Sequence, residues 1–303
     1  TAQASYEHKI WKTSLESDKN EKWITVKGGT YIEIKDRTFS SRNLGYRMAN
    51  VMNFDYSIAY QGFEDILNPE NLNNSNGLIL DEDTRGADKY EAHNRLFAYY
   101  LMTNIPYKKW NLSMGVRREN NRQWLNSADI TGQPLTSELD SNLWLPSFNL
   151  SYDLSNKTLL RLAYGKTVNR PEFRELAPFS FYDFENNFIN SGNPQLLFST
   201  IDNIDFRWEH YPNKTEIISA ALFYKQFKNP IEQYFVPGVG SGGTRSFMPG
   251  NALSATSYGA EIDIRKSLAQ LRNSFLQNLV IVGNASYIIS NIELSQQGIE
   301  TGL

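Results

Sequence analysis

The 303-residue sequence has no cysteine, which removes disulfide frameworks, thiolate nucleophiles and cysteine-based zinc sites together. No run approaches the roughly 18 apolar residues that a membrane-crossing helix needs; the longest notable one is Leu279 to Val282. Strands that alternate faces average to an unremarkable hydropathy, so a β-barrel survives that exclusion. A net charge of −3 supplies no basic field, which argues against a nucleic-acid partner and implies no acidic substrate. The histidines, His8, His93 and His210, share no ligand spacing, so neither a metal cluster nor a Ser-His-Asp arrangement is expected. There is no Gly-rich phosphate loop and no carboxylate pair singled out by position. The expectation is a protein that is not an enzyme and uses no cofactor or metal. The opening segment TAQASYEHKI lacks a basic stretch followed by an apolar one, so any export signal is expected to lie outside this sequence or to have been removed.

What is present is aromatic and alternating. Tyr and Phe number 17 each, a balance that excludes a disordered tail. Period two recurs along the chain. Ile24, Val26, Ile32 and Ile34 share one face against Thr25, Lys27, Glu33 and Lys35, and Trp110, Leu112, Met114 and Val116 oppose Asn111, Ser113, Gly115 and Arg117. Leu160, Leu162 and Tyr164, then Ile204, Phe206 and Trp208, then Tyr258, Ala260, Ile262 and Ile264 repeat the pattern. The spacing predicts strands at roughly 3–16, 22–37, 88–104, 109–126, 143–154, 157–169, 199–210, 214–228, 254–267 and 274–292. Many exceed the usual globular strand of about 5 to 6 residues.

The links then alternate between short, at 17–21, 105–108, 155–156, 211–213 and 268–273, and long, at 38–87, 127–142, 170–198 and 229–253. An all-β, antiparallel, up-and-down transmembrane barrel has that rhythm, with short turns on the periplasmic side and long loops outside. Trp23, Trp110 and Trp208 fall beside short turns and Trp124 and Trp144 beside a long loop, as two interfacial girdles require, with Trp11 farther in. The alternative is a soluble β-sandwich or propeller. An open sheet edge cannot lie in hydrocarbon, so these ten or so strands are expected to be part of one larger barrel domain, residues 1–303, with terminal strands missing.

The stretch LLRLAYGKTVNRPEFRELAPFSFYDFENNFINSGNPQL resembles the barrel of TonB-dependent receptors. A strand ends in the Arg170-Pro171 step, a long loop follows, and Gly192, Asn193, Pro194 and Leu196 lead into the next strand. YLMTNIPYKKWNLSMGVRRENN, LPSFNLSYDL, FRWEHYPNKTEIISAALFYKQFKNPIEQY and SYGAEIDIRKSL match the family's later strands in order, and RPEFRELAPFSFYDF is similar to the Bacteroidetes-type members. The resemblance covers most of residues 20–292. It implies a barrel of about 22 strands in the bacterial outer membrane, closed by a plug, importing a scarce ligand by TonB-driven active transport. It also implies TonB as a partner through a plug segment absent from this chain. Other expected partners are outer-membrane lipids, a small-molecule or oligosaccharide ligand such as a siderophore or glycan, and, as a candidate, a surface lipoprotein. The alternatives are a non-transport barrel, adhesin or assembly scaffold, and a secreted β-rich carbohydrate-binding or hydrolysing protein.

Pro171 lacks a backbone donor and belongs where a ladder ends, while Asn193 before Pro194 favours an extended or turn conformation. Arg170 and Arg174 are expected to pack loops rather than touch ligand. The charges Arg161, Asp205, Arg207, Glu209, Glu261, Asp263 and Arg265 are expected to face a lumen and pair with one another or with a plug. Ligand contact is assigned to the outer loops, at Phe181, Tyr182, Phe184, Tyr234 and Arg245, beside Phe179, Phe188, Phe235 and Phe247; aromatic faces there can stack on sugar rings or siderophore aromatics, or on one another. DEDTRGAD, from Asp81 to Asp88, fails the EF-hand pattern at Arg85 and Ala92 and reads as a solvated loop. No histidine lies between Pro171 and Asn193, where the family's haem importers carry one, so haem is not the expected cargo.

Overall fold

The computed structural model describes residues 1–12, 22–129, 131–237, 244–269, 275 and 278–294. In chain order the strands are β1 (Ala2–Lys12), β2 (Trp23–Ser40), β3 (Leu44–Met48), β4 (Leu78–Glu82), β5 (Lys89–Tyr107), β6 (Trp110–Ala128), β7 (Pro134–Ser155), β8 (Thr158–Asn169), β9 (Ser180–Asp183), β10 (Phe188–Ser191), β11 (Ser199–His210), β12 (Ile217–Lys228), β13 (Ile231–Phe235), β14 (Arg245–Asn251), β15 (Ser254–Ser267) and β16 (Val280–Glu293). Two short helices, α1 (Phe63–Ile66) and α2 (Phe173–Leu176), sit in connections.

Ten of the strands form one antiparallel sheet in the order β1-β2-β5-β6-β7-β8-β11-β12-β15-β16. Each of the ten strands expected from period two is one of these. The turn at 17–21 and most of that at 268–273 lie outside the described residues. The turn between β5 and β6 is tight, with Lys108 at φ 52°.

Register turns the alternation into two faces. Leu101 lies opposite Val116, Val116 opposite Pro146, Leu150 opposite Leu162, Phe206 opposite Leu222, and Leu222 opposite Ala260. These apolar side chains share one broad face, and most are exposed on it. The opposite face carries Ser113, Arg117, Asn149, Arg161, Asn203, Arg207 and Asp263 on the same strands. A sheet with a broad exposed apolar face and a polar opposite face is the membrane-barrel pattern inverted from that of a soluble protein.

The aromatic girdles differ in detail from the sequence reading. Trp110 packs on Tyr152 with ring centroids 4.3 Å apart at the turn end, and Trp208 lies at the same end of β11. A register shift between Lys9 and Trp11 sets Trp11 opposite Ile24 on the apolar face. Trp23, one residue from Ile24, therefore points to the polar face, where Lys9 approaches its ring at 5.8 Å. Trp11, not Trp23, occupies the outward position.

The upper boundary is Trp144, opposite Arg118, whose guanidinium sits 4.7 Å from the indole centroid. From Trp110 to Arg118 is eight residues, about 27 Å along the strand, comparable with the outward apolar band of about 25 Å in such barrels.

The expected long loop at 127–142 is a correction. β6 and β7 stay paired as far as Ala128 opposite Pro134, leaving a turn at 129–133. Beyond Arg118 the outward face of this hairpin meets water rather than lipid, so exposed polar residues such as Glu138, Asp140 and Asn142 stand where apolar ones would and read as loop, while Leu125, Ser137 and Leu139 on the other face are buried. Trp124 lies in this polar extension, stacked on His93 and flanked by Arg95 and Arg122, rather than beside a loop at the girdle.

The loops at the outer end have structure of their own. β3 and β4 form a hairpin. The other two long loops join in a four-stranded sheet, β13-β14-β10-β9, in which β10 and β14 run parallel.

Candidate functional site

The Arg170-Pro171 step leads the chain off β8 and back against the polar face. Arg170 donates from Nη2 to Glu119 at 2.9 Å and to Ser141 Oγ at 3.3 Å. Glu119 also accepts from Arg117 Nε at 2.6 Å and is buried. The Pro171 carbonyl accepts from Gln123 Nε2 at 2.8 Å, and that of Pro194 from Ser137 at 2.7 Å. These contacts lay α2 on the wall. Phe173, Leu176, Ala177 and Leu196 bury against Tyr90, Ala92 and Leu125, and Phe39, Phe179 and Ile231 pack around them. The buried apolar cluster among the described residues thus lies between wall and loop at the outer end.

Gly192 and Asn193 close the loop. A Cβ on Gly192 would overlap the Ala177 carbonyl oxygen and crowd those of Arg174 and Glu175, so only glycine fits there. The Asn193 amide donates to Glu175 O at 2.6 Å, its Oδ1 accepts from Gln195 N at 2.9 Å, and its Nδ2 donates to Pro249 O at 3.0 Å. Asn251 ties the two loops together. Its Oδ1 accepts from Leu197 N at 2.8 Å while its Nδ2 donates to Leu197 O at 3.0 Å. Arg170, Pro171, Gly192, Asn193 and Pro194 thus join the loop to the wall and to its neighbouring loop. Arg174 turns the other way, its guanidinium 3.8 Å from the Phe181 ring centroid.

The five ligand candidates lie on or beside one small sheet but not on one face. Asn190 pairs with both Phe181 and Phe247, and Phe247 with Phe235, so Phe181, Phe188, Phe235, Phe247 and Arg245 share a face. Phe188 and Phe235 make edge contacts with Phe247 at 5.6 and 6.0 Å. Tyr182 and Tyr234 lie on the other face. Tyr182 is exposed and donates to Asn187 Oδ1 at 2.9 Å. Burial pushes the Tyr234 phenol up, and its hydroxyl is buried without a partner among the described residues. Phe184 projects 79% exposed from the turn between β9 and β10, which Asp183 organises by accepting from the amides of Glu185 and Asn186. Arg174, Phe181, Asn190 and Gln233 line a cavity of about 220 Å³ on the first face. The Gly-rich tip at 238–243 lies outside the described residues.

The acidic segment is neutralised by arginines. Asp81 pairs with Arg47 at 2.9 Å, Glu82 with Arg42 at 2.7 Å and Asp83 with Arg85 at 2.9 Å, while Asp88 accepts from Arg85 N and Asn43. The Arg42 guanidinium and Thr84 hydroxyl hold the Glu82 carboxyl at about 2. On the polar face Glu209 pairs with Arg161 and Arg207, and Arg207 with Asp263, so these charges do satisfy one another. Asp205, Glu261 and Arg265 make no ion pair among the described residues.

Several residues escaped the sequence reading. Glu119, Asn121 and Gln123 alternate with Asn120 and Arg122 on β6, so period two placed them beside Arg117 on the inward face, and an inward Glu among arginines was the available signal. Ser137 and Ser141 were hidden by the loop assignment.

The sequence model of the family described as TonB dependent receptor-like, beta-barrel matches residues 3–301. Among solved structures, the ferric citrate transporter FecA in its unliganded form is similar with a TM-score of 0.51 at 16% identity, over 91% of this chain and 36% of that one. The siderophore receptor PiuA from Acinetobacter baumannii gives 0.51 at 12% identity, over 92% and 42%. PirA from Pseudomonas aeruginosa, also a siderophore receptor, gives 0.46 at 13% identity, over 89% and 54%. The chain therefore spans between 36% and 54% of the length of these structures, and the likeness speaks for fold alone. No curated protein sequence matches it. A family match over nearly the whole sequence, together with the ten-stranded sheet that carries it, shows that the chain belongs to the TonB-dependent receptor-like β-barrel family.

Proposed function

We propose that these residues form part of the wall and outer vestibule of a TonB-dependent receptor in the bacterial outer membrane, which imports a small molecule or oligosaccharide too large for passive pores. The observation that carries the reading is the sharp change at Arg118 and Trp144. Below it the outward face is apolar and bare; above it the strands continue in polar form and two loops fold inward onto the concave face. A chain built this way sits in lipid with its loops outside the cell and its polar face toward a lumen.

The edges of β1 and β16 are not paired with each other, and unsatisfied backbone groups in hydrocarbon cost several kcal/mol each. Further strands of the parent protein therefore close the barrel, and a plug elsewhere in the parent, contacted by TonB, supplies the gate. Phe181 and Arg245 on one face of the outer sheet, Tyr182 and Tyr234 on the other, and Phe184 at its tip are the proposed ligand contacts. Aromatic faces beside an arginine suit sugar rings or siderophore aromatics.

The test is the intact mass of the polypeptide extracted in detergent from outer membranes, with its gel migration before and after heating. The coverage of FecA and PirA implies a parent about two to three times the 34.8 kDa of this chain, migrating faster before heating. A mass near 34.8 kDa without heat-modifiable migration would remove the transport reading.

A further inference from the structure

The short-turn end of the wall is basic although the chain is not. The turns between β5 and β6, β7 and β8, and β11 and β12, residues 107–110, 155–158 and 210–217, hold Lys108, Lys109, Lys157 and Lys214 against one carboxylate, Glu216. Glu216 is buried and already taken, by Lys266 at 2.9 Å and the Ser267 amide at 3.1 Å. Just inside the turns, Asp153 and Glu209 lie on the polar face on either side of Leu159, and Glu209 is held by Arg161 and Arg207. The four turn lysines are exposed, and none makes an ion pair among the described residues. At the opposite end residues 41–88 carry three arginines and eight carboxylates. A chain of net charge −3 is therefore polarised along its strands, positive where the turns are short.

Register places these lysines against the edge of the apolar face. Tyr107 lies opposite Trp110, Trp110 opposite Tyr152, Tyr152 opposite Leu160, and Leu160 opposite Trp208. This row crosses five strands on the apolar face, with Tyr107 and Trp110 exposed, and forms the aromatic belt of that end. Lys108 and Lys109 follow Tyr107 directly, Lys157 stands three residues before Leu160, and Lys214 six after Trp208. Aromatic rings settle at the headgroup level, and lysines beside them lay their stems on apolar surface and carry the ammonium group into the headgroup layer. Successive turns stand about 10 Å apart, two strand spacings of about 4.8 Å. One small free anion cannot span that row, whereas separate headgroups in a leaflet can.

We propose that this basic rim binds the phosphates of anionic phospholipids in the periplasmic leaflet and so fixes the depth of the wall in the membrane. The inference rests on the reading of the apolar face as lipid-facing. Unpaired ammonium groups on three adjacent turns call for a surface of net negative charge. Lipid is the occupant, rather than an acidic soluble protein, because the lysines continue the aromatic belt along the edge of the surface that lipid covers.

The experiment reconstitutes the full-length parent in phosphatidylcholine vesicles and follows spin-labelled phosphatidylglycerol and spin-labelled phosphatidylcholine by electron spin resonance. A preference for phosphatidylglycerol of at least about fivefold is expected, the factor that one lysine at an anionic surface supplies. It falls toward unity when Lys109→Gln, Lys157→Gln and Lys214→Gln are combined with Lys108→Asn, asparagine being chosen because φ is 52° at that position. Replacing Lys109, Lys157 and Lys214 with arginine keeps it. An equal loss from Lys89→Gln with Lys228→Gln, at the opposite end, would overturn the assignment to this rim. Displacement of the labelled lipid by millimolar inorganic phosphate would show a free-anion site and overturn it as well. So would equal association of the two lipids, which leaves the lysines to an acidic soluble partner. Heat-modifiable migration confirms that each variant is folded. No lipid preference in a heat-modifiable parent removes the rim and leaves the transport reading intact, whereas a parent that neither enters vesicles nor shifts on heating removes both.

Discussion

Glu119 shows how a single residue organises the outer end of this wall. Its two oxygens are held by Arg117 and Arg170 at 2.6 and 2.9 Å, with the carboxylate side chain 8% exposed. Arg170→Met removes one partner and leaves Arg117, so the expected loss of stability is about 2–3 kcal/mol, below the roughly 3–5 kcal/mol of a stripped buried charge. Adding Glu119→Gln should restore part of that loss, and a double-mutant cycle on thermal unfolding of the parent measures the coupling. A loss as large in the presence of Glu119→Gln as in its absence would show that Arg170 acts by packing alone. Gly192 is decided by space rather than charge. Gly192→Ala drives a methyl into the Ala177 carbonyl and should destabilise by about 1–3 kcal/mol; unchanged thermal unfolding would mean that the loop closes differently.

Among the elements, β12 offers the clearest test of which face meets lipid. Leu222 is 58% exposed on the apolar face between Phe206 and Ala260, while Ala221, one residue earlier, lies between Arg207 and Glu261 on the polar face. Leu222→Lys should cost about 2–4 kcal/mol in refolding into lipid vesicles and Ala221→Lys little, because a charge is penalised at the bilayer midplane and tolerated in the lumen. Equal effects would place β12 in water on both sides. The β3–β4 hairpin makes a pH prediction. Arg42 lowers Glu82 from its ordinary 4.5 to about 2, so the pair is fully formed above pH 4.5 and is lost as pH falls toward about 2. Carboxylate titration followed by NMR should give a midpoint near that lower value, moving up toward 4.5 in Arg42→Gln. A midpoint of 4.5 without the substitution would mean that the pair does not form in solution.

At the scale of the molecule, ten long antiparallel strands make a wall whose exposed side is greasy, and the only compact apolar core among the described residues lies where two loops fold onto the polar side. That arrangement packs α2 and its flanking loop residues against the wall. The prediction at this scale is the parent's mass and heat-modifiable migration, because a sheet with unpaired edges is stable in lipid only once closed.

All ten wall strands were legible in the sequence because a wall with lipid on one side and a polar lumen on the other imposes period two for as long as both environments last. The legibility stopped where that difference stopped. From Pro134 to Asn142 the outward side of β7 is polar because it meets water rather than lipid, so a ladder looked like a loop. The bulge that turns Trp11 outward and Trp23 inward changes a face without changing composition. The resemblance to the receptor family marked Arg170, Pro171, Gly192, Asn193 and Pro194 as a unit, and the missing donor of Pro171 gave a local reason for the ladder to end there. Only the tertiary structure decided that Arg170 meets Glu119, that four of the five loop candidates divide between two faces of one sheet with Phe184 at its turn, and that Asn94 and Asn121 point to the same side of the wall. Those partners lie on different strands and loops, and which residues meet across the fold is set by register and loop closure rather than by any local pattern.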